Sequence, residues 1–89
     1  MHAVVVRVTI SDREAATQGL KEQVVPAVSG APGFVAGYWT RKEGTDTGLS
    51  MILFESEEAA SGAAERLSSM APDAVTVDDV EVREVVASA

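Results

Sequence analysis

The chain has no cysteine, no asparagine and a single histidine, His2. Without cysteine there are no disulfides, no thiolate metal sites and no cysteine nucleophile. With no interior histidine, Ser50, Thr9 and Thr40 have no imidazole to activate them, which excludes a hydrolase triad. Neither G-x-x-x-x-G-K-[ST] nor G-x-G-x-x-G occurs, so no nucleotide cofactor is expected. Asp78, Asp79 and Glu81 form an acidic cluster with no histidine or cysteine beside it. It reads as a solvated face, and no metal is expected there or at His2. Basic residues are also few, 7 against 14 acidic, for a formal charge of −7 and a pI near 4.5. Such a surface repels phosphate backbones and anionic lipid headgroups, so neither nucleic acid nor a membrane surface is an expected partner. No apolar run approaches the roughly 18 residues of a membrane span. The start, Met1-His2-Ala3-Val4, lacks the basic region of a signal peptide, which gives a cytoplasmic expectation.

What remains is an ordinary globular composition, 46 % hydrophobic and 24 % charged, in 89 residues. That is one domain, residues 1–89, with no linker and no internal repeat. The apolar content is mostly Val and Ala. Aromatics make up only 4 %: Phe34, Tyr38, Trp39 and Phe54. Three of the four fall in one predicted strand and the fourth in the next, so a ligand pocket is to be sought along that hairpin.

The patterning alternates between periods of two and of three to four. From Ala3 to Ile10, Val4, Val6, Val8 and Ile10 share one strand face, and Ala3, Val5, Arg7 and Thr9 the other. Ser11-Asp12-Arg13-Glu14 has the S-x-x-E form of a capping box with Ser11 as N-cap. The helix it opens carries the stripe Ala16, Leu20, Val24 and Ala27/Val28, which Pro26 is expected to kink or end near Val25. After the turn 29–33, a strand over Phe34–Lys42 places Phe34, Ala36, Tyr38 and Thr40 opposite Val35, Gly37, Trp39 and Arg41. Gly37 in mid-strand signals a bulge or a close approach by another group. A glycine-bearing loop, 43–48, leads to a third strand over Leu49–Glu55. Ser56 then caps a helix with Ala60, Ala63/Ala64, Leu67 and Met70/Ala71 on one stripe, ended by Pro72. In the last strand region, Val75–Val86, the valine parity switches at Asp78-Asp79, as a bulge would make it do.

The order β-α-β-β-α-β predicts an α+β, ferredoxin-like fold: a four-stranded antiparallel sheet in the order 4-1-3-2 with two helices on one face. Two helices cover only one face. The other keeps several apolar side chains, which points to a homodimer with sheet packed on sheet.

Among candidate site residues, adjacent Tyr38 and Trp39 must point to opposite faces. Each serves either packing, with its polar tip partnered, or substrate stacking. Arg7 is the one charge inside the first strand. Its expected partner is Glu55, Glu81 or Glu84, or a ligand carboxylate or phenolate. Arg41 and Arg83 sit on edge strands and read as solvated or at a dimer rim.

Three segments, APGFVAGYW (31–39), FESEEAA (54–60) and VEVREVV (80–86), resemble the antibiotic biosynthesis monooxygenase-like family of the dimeric α+β barrel superfamily, and the resemblance covers Ala3 to Val86. It implies a homodimer whose two sheets form a barrel, and an apolar pocket between each sheet and its helices. Some members of the family oxidise polycyclic aromatics with dioxygen and no cofactor. The haem-cleaving members use an Asn, a Trp on the third strand and a His ligand. This chain has no Asn, carries Trp39 on the second strand and has its histidine at position 2, so haem is not expected. Two functions follow. One is a cofactor-independent monooxygenase acting on a small aromatic or polyketide-like molecule, with Tyr38, Trp39 and Arg7 as catalytic candidates and a pocket of Phe34, Tyr38, Trp39, Phe54 and Met51. The other is a non-catalytic dimer that binds a small apolar molecule or serves a structural role.

Overall fold

The computed structural model describes residues 1–69 and 74–89. It is an α+β fold. Strand β1 (His2–Ile10) leads to helix α1 (Arg13–Gly19), a π-helical segment (Leu20–Val24) and helix α2 (Val25–Ser29). Strands β2 (Phe34–Arg41) and β3 (Thr47–Phe54), helix α3 (Glu57–Ser69) and strand β4 (Val75–Glu84) follow. The four strands form one antiparallel sheet in the order β2-β3-β1-β4, the expected order read from its other edge.

One sheet face carries the core. Val4 and Val6 of β1 and Ile52 and Phe54 of β3 pack against Val24 and Val28 of the first helical unit and Ala60, Ala63 and Leu67 of α3. The alanines bring α3 close to the strands, and burial of these side chains contributes about 25 cal/mol for each Å² of apolar surface removed from water. The opposite face is open. Along β3, Ile52 is 0 % exposed while its neighbour Met51 is 46 % exposed, as a period of two requires in a sheet covered on one side.

Two bulges adjust this alternation. The register of β4 against β1 shifts between Arg7 and Val8, so Val77 pairs with Val8 and Val80 with Val6 on the core side. The extra residue is Asp78, at the expected parity switch. Its Oδ2 accepts from the Thr9 hydroxyl at 2.6 Å. A second shift lies between Phe34 and Ala36. The expected sign of irregularity in this strand was Gly37, which instead takes the close approach of Trp39; the shift falls upstream of it and moves Phe34 off the face of Ala36, Tyr38 and Thr40. Phe34 instead meets Phe54 edge-on, with ring centroids 6.2 Å apart.

The first helical unit also departs from expectation at both its start and its middle. Asp12, not Ser11, is the N-cap: its Oδ1 accepts from the Ala15 N–H at 3.1 Å. Ser11 instead ties the strand end to the start of β4, donating to the Ala74 carbonyl from its N–H at 2.8 Å and from its hydroxyl at 3.1 Å. The regular helix is interrupted just before Val25, near where Pro26 was expected to break it, but by a π segment over Leu20–Val24, and the chain stays helical to Ser29. Pro26 has no N–H for the Glu22 carbonyl four residues before it. The chain takes up this loss by widening its turns just upstream, where the Val25 N–H reaches back five residues to the Leu20 carbonyl. At the second helix Ser56 caps as expected, its hydroxyl accepting from the Ala59 N–H at 3.2 Å. The expected helix end at Met70, Ala71 and Pro72 lies outside the described residues.

Candidate functional site

The π segment faces the place where the sheet is least filled. On the inner face of the β2–β3 hairpin, Trp39 stands opposite Ser50, with Gly37 two residues before it on the same strand and Gly48 diagonal to it on β3. Small partners on three sides leave room for the indole to lie flat along the strand, against Gly37. Above it, the widened turn of the π segment presents Leu20 and Val24. Helical segments of this kind recur where a regular ladder is sacrificed for a site.

Between these elements lies an apolar cleft of about 50 Å³. Its floor is Val6, Val8 and Ile10 of β1 with Ile52 of β3. Leu20 and Val24 form the roof. Leu67, Val75 and Val77 close one end and Trp39 the other. Ser50 is 7 % exposed and is the one buried polar residue among those described. It is one of the residues that line the cleft, and its hydroxyl can donate to or accept from a polar atom there. A hydrogen bond between that hydroxyl and a ligand's polar atom would contribute about 1 kcal/mol.

The cleft opens beside Trp39 into a wider mouth of about 260 Å³ that shares Ile10, Leu20, Trp39 and Thr40 with it. An apolar cavity of about 150 Å³ holds a benzene ring. The cleft here thus suits a short alkyl chain or the edge of a ring, and the remainder of any ligand lies in the wider hollow beside it.

The expected site residues divide between the two faces of the sheet. Trp39 lines the cleft. Phe34 and Phe54 are on the same side of the sheet but belong to the packed core, away from the cleft. Tyr38 and Met51 are cross-strand partners on the open face, where Tyr38 is 65 % exposed. Arg7 is on the open face too. It is not buried, and its partner is none of the three glutamates expected: Nη2 lies 3.7 Å from Asp79 Oδ2, directly across the β1–β4 pair. Arg83 pairs with Glu81 on the same face at 2.6 Å. His2 Nε2 lies 3.8 Å from Glu57, and its Nδ1 is buried without a hydrogen-bond partner. No group of three or more His, Cys, Asp or Glu side chains gathers in metal-binding geometry among the described residues.

Sequence reasoning missed Ser50, Leu20 and Val24 as site residues. Ser50 carried one signal, as the single hydroxyl in the buried parity of β3. Comparison of the chain with protein-family models finds no match, and comparison with curated proteins finds none either.

Proposed function

We propose that this chain is a small-molecule-binding domain of the ferredoxin-like, dimeric α+β barrel kind, working as a homodimer joined through the open face of its sheet. The observation that carries the binding reading is the cleft: apolar walls, one aromatic, and one largely buried serine, Ser50, placed under a π segment. Few polar groups in an otherwise apolar concavity is the common form of small-ligand sites. The dimer reading rests on the open face, where Tyr38, Leu49, Met51 and Val35 are all exposed and adjacent strands bring the first three together. A patch of that kind is uncommon on a lone small domain.

The chain holds one tryptophan, and it lines the cleft, so its emission reports on the site directly. A fragment panel screened by Trp39 emission and thermal shift is expected to give ligands that raise the Tm and alter the emission together. Ser50→Ala is expected to weaken those with a polar atom without lowering stability. A panel in which no compound does either overturns the binding reading. Light scattering that returns a 9.3 kDa particle overturns the dimer.

The second reading is the cofactor-independent monooxygenase of the antibiotic biosynthesis monooxygenase-like family. The observation in its favour is an apolar cleft with an aromatic wall, Trp39, which suits an aromatic substrate. Trp39 is the candidate that lines this cleft; Tyr38 and Arg7 serve it only if the partner chain brings the open face into the reaction. Oxygen uptake on hydroquinones and anthrones tests it, and a folded dimer with no turnover across the panel excludes this substrate class.

A further inference from the structure

The mouth of the cleft differs in charge from the rest of the molecule. Arg13, Lys21 and Arg41 line it, three of the 7 basic residues of the chain. Among the described residues none of the acidic side chains lines it. In a chain with 14 acidic residues and a net charge of −7, that is a local reversal of sign. Two elements make it. Arg13, Thr17 and Lys21 follow one another at spacings of four along the helical unit, so they form one ridge over the opening. Arg41 comes from the end of β2, on the face that carries Trp39 two residues before. The long stems of these side chains extend the apolar wall outward, and their charged heads stay at the rim.

These heads are little used within the chain. Lys21 and Arg41 make no ion pair among the described residues. Arg41 Nη1 donates only a long contact to the Thr45 carbonyl, 3.4 Å. Arg13 Nε lies 3.7 Å from Asp46 Oδ1, with both side chains more than half exposed. Glu14 and Glu22 lie on the other flank of the same ridge, in a shallow dent that Arg13, Thr17 and Lys21 also line, and Gln18 holds Glu22 there with a 3.2 Å hydrogen bond.

We infer that the ligand is an amphiphilic anion: an apolar body in the cleft between Trp39 and the π segment, and a carboxylate or similar anionic head at the rim of Arg13, Lys21 and Arg41. This deepens the small-molecule reading of the cleft and rests on it. An anion gains from all three cations at once, while an apolar body alone gains nothing from them. A cation would be repelled.

Four probes separate the terms, read by Trp39 emission: octanoate, octan-1-ol, octylammonium and acetate. Octanoate is expected to bind about tenfold more tightly than octan-1-ol, since exposed charge pairs contribute only fractions of a kcal/mol each. Octylammonium and acetate are expected not to saturate. The preference for octanoate shrinks in high salt, while binding of octan-1-ol does not. Lys21→Gln with Arg41→Gln is expected to bring octanoate down to the level of octan-1-ol and to leave octan-1-ol unchanged. Both residues are exposed, so the variant folds, and circular dichroism checks that. Equal binding of octanoate and octan-1-ol overturns the anionic head and leaves the cleft reading standing. Acetate binding as tightly as octanoate overturns the apolar body. If none of the four alters Trp39, the cleft reading itself falls.

Discussion

The indole of Trp39 lies against the bare Cα of Gly37: a methyl group added there would stand 2.7 Å from Trp39 Cη2 and 2.9 Å from Cζ3. The glycine is thus the seat of the aromatic wall. Gly37→Ala is expected to destabilise the fold by about 1–3 kcal/mol through overpacking, and to shift Trp39 emission as the ring is lifted. Urea denaturation measures the first effect. In a Trp39→Leu background the same change is expected to cost much less, since the clash is gone. Equal costs in the two backgrounds would mean that the ring and the glycine are not coupled.

Strand β3 tests the two faces within a few residues. Ile52 is 0 % exposed, so Ile52→Ala is expected to cost about 2–5 kcal/mol from lost burial and the cavity left behind. Leu49 and Met51 stand on the open face, about half exposed. On the proposed homodimer, Leu49→Asp with Met51→Asp is expected to keep the circular dichroism spectrum and to give a monomer in light scattering where the unchanged chain gives a dimer. Unfolding of that variant at every concentration would show that the open face serves the single chain's own stability.

Arg7 and Asp79 face each other across β1 and β4 at 3.7 Å, with side chains 59 % and 44 % exposed. A pair so solvated contributes under about 1 kcal/mol. Arg7→Ala is expected to change the stability of the dilute protein by less than that, and by next to nothing in about 1 M salt, where the screening length is short. A loss of several kcal/mol would mean that the arginine is buried in the assembled molecule, as a charge deprived of its partner inside a core would be.

The strands were legible because their signals are redundant. In β1 one parity is purely apolar, which marks both the element and its buried face; in β3 the alternation marks the element only, since the all-apolar set Leu49, Met51 and Leu53 lies on the open face and the buried set includes Ser50. The bulge in β4 was legible for the same reason: the valines switch parity across Asp78 and Asp79. The bulge in β2 left no such trace, because Val35 and Ala36 are both small and apolar and either fits either face. The π segment was visible only as a conflict between an apolar stripe that continues and a proline that forbids the usual bonding. Half of the candidate site was legible. Trp39 stood out by rarity, but its orientation depended on the β2 register. The cationic rim was not legible, since Arg13 and Lys21 read as a solvated helix ridge until the fold brings Arg41 beside them.

The start of the first helix gives the last test. Ser11 and Asp12 are adjacent and both are good caps by residue type, and the motif S-x-x-E favoured the first. The structure uses the second, because the Ser11 hydroxyl and N–H are already committed to the Ala74 carbonyl. Asp12→Ala removes the acceptor of the Ala15 N–H and also a negative charge at the positive end of the helix. It is expected to cost about 1 kcal/mol, measured by chemical denaturation, with amide exchange accelerated over the first turn of α1. Ser11→Ala keeps the 2.8 Å backbone bond to Ala74 and is expected to leave exchange in that turn unchanged. Its smaller loss of stability is expected where β1 meets the start of β4. If exchange in the first turn rises with Ser11→Ala and not with Asp12→Ala, the cap is Ser11 in solution.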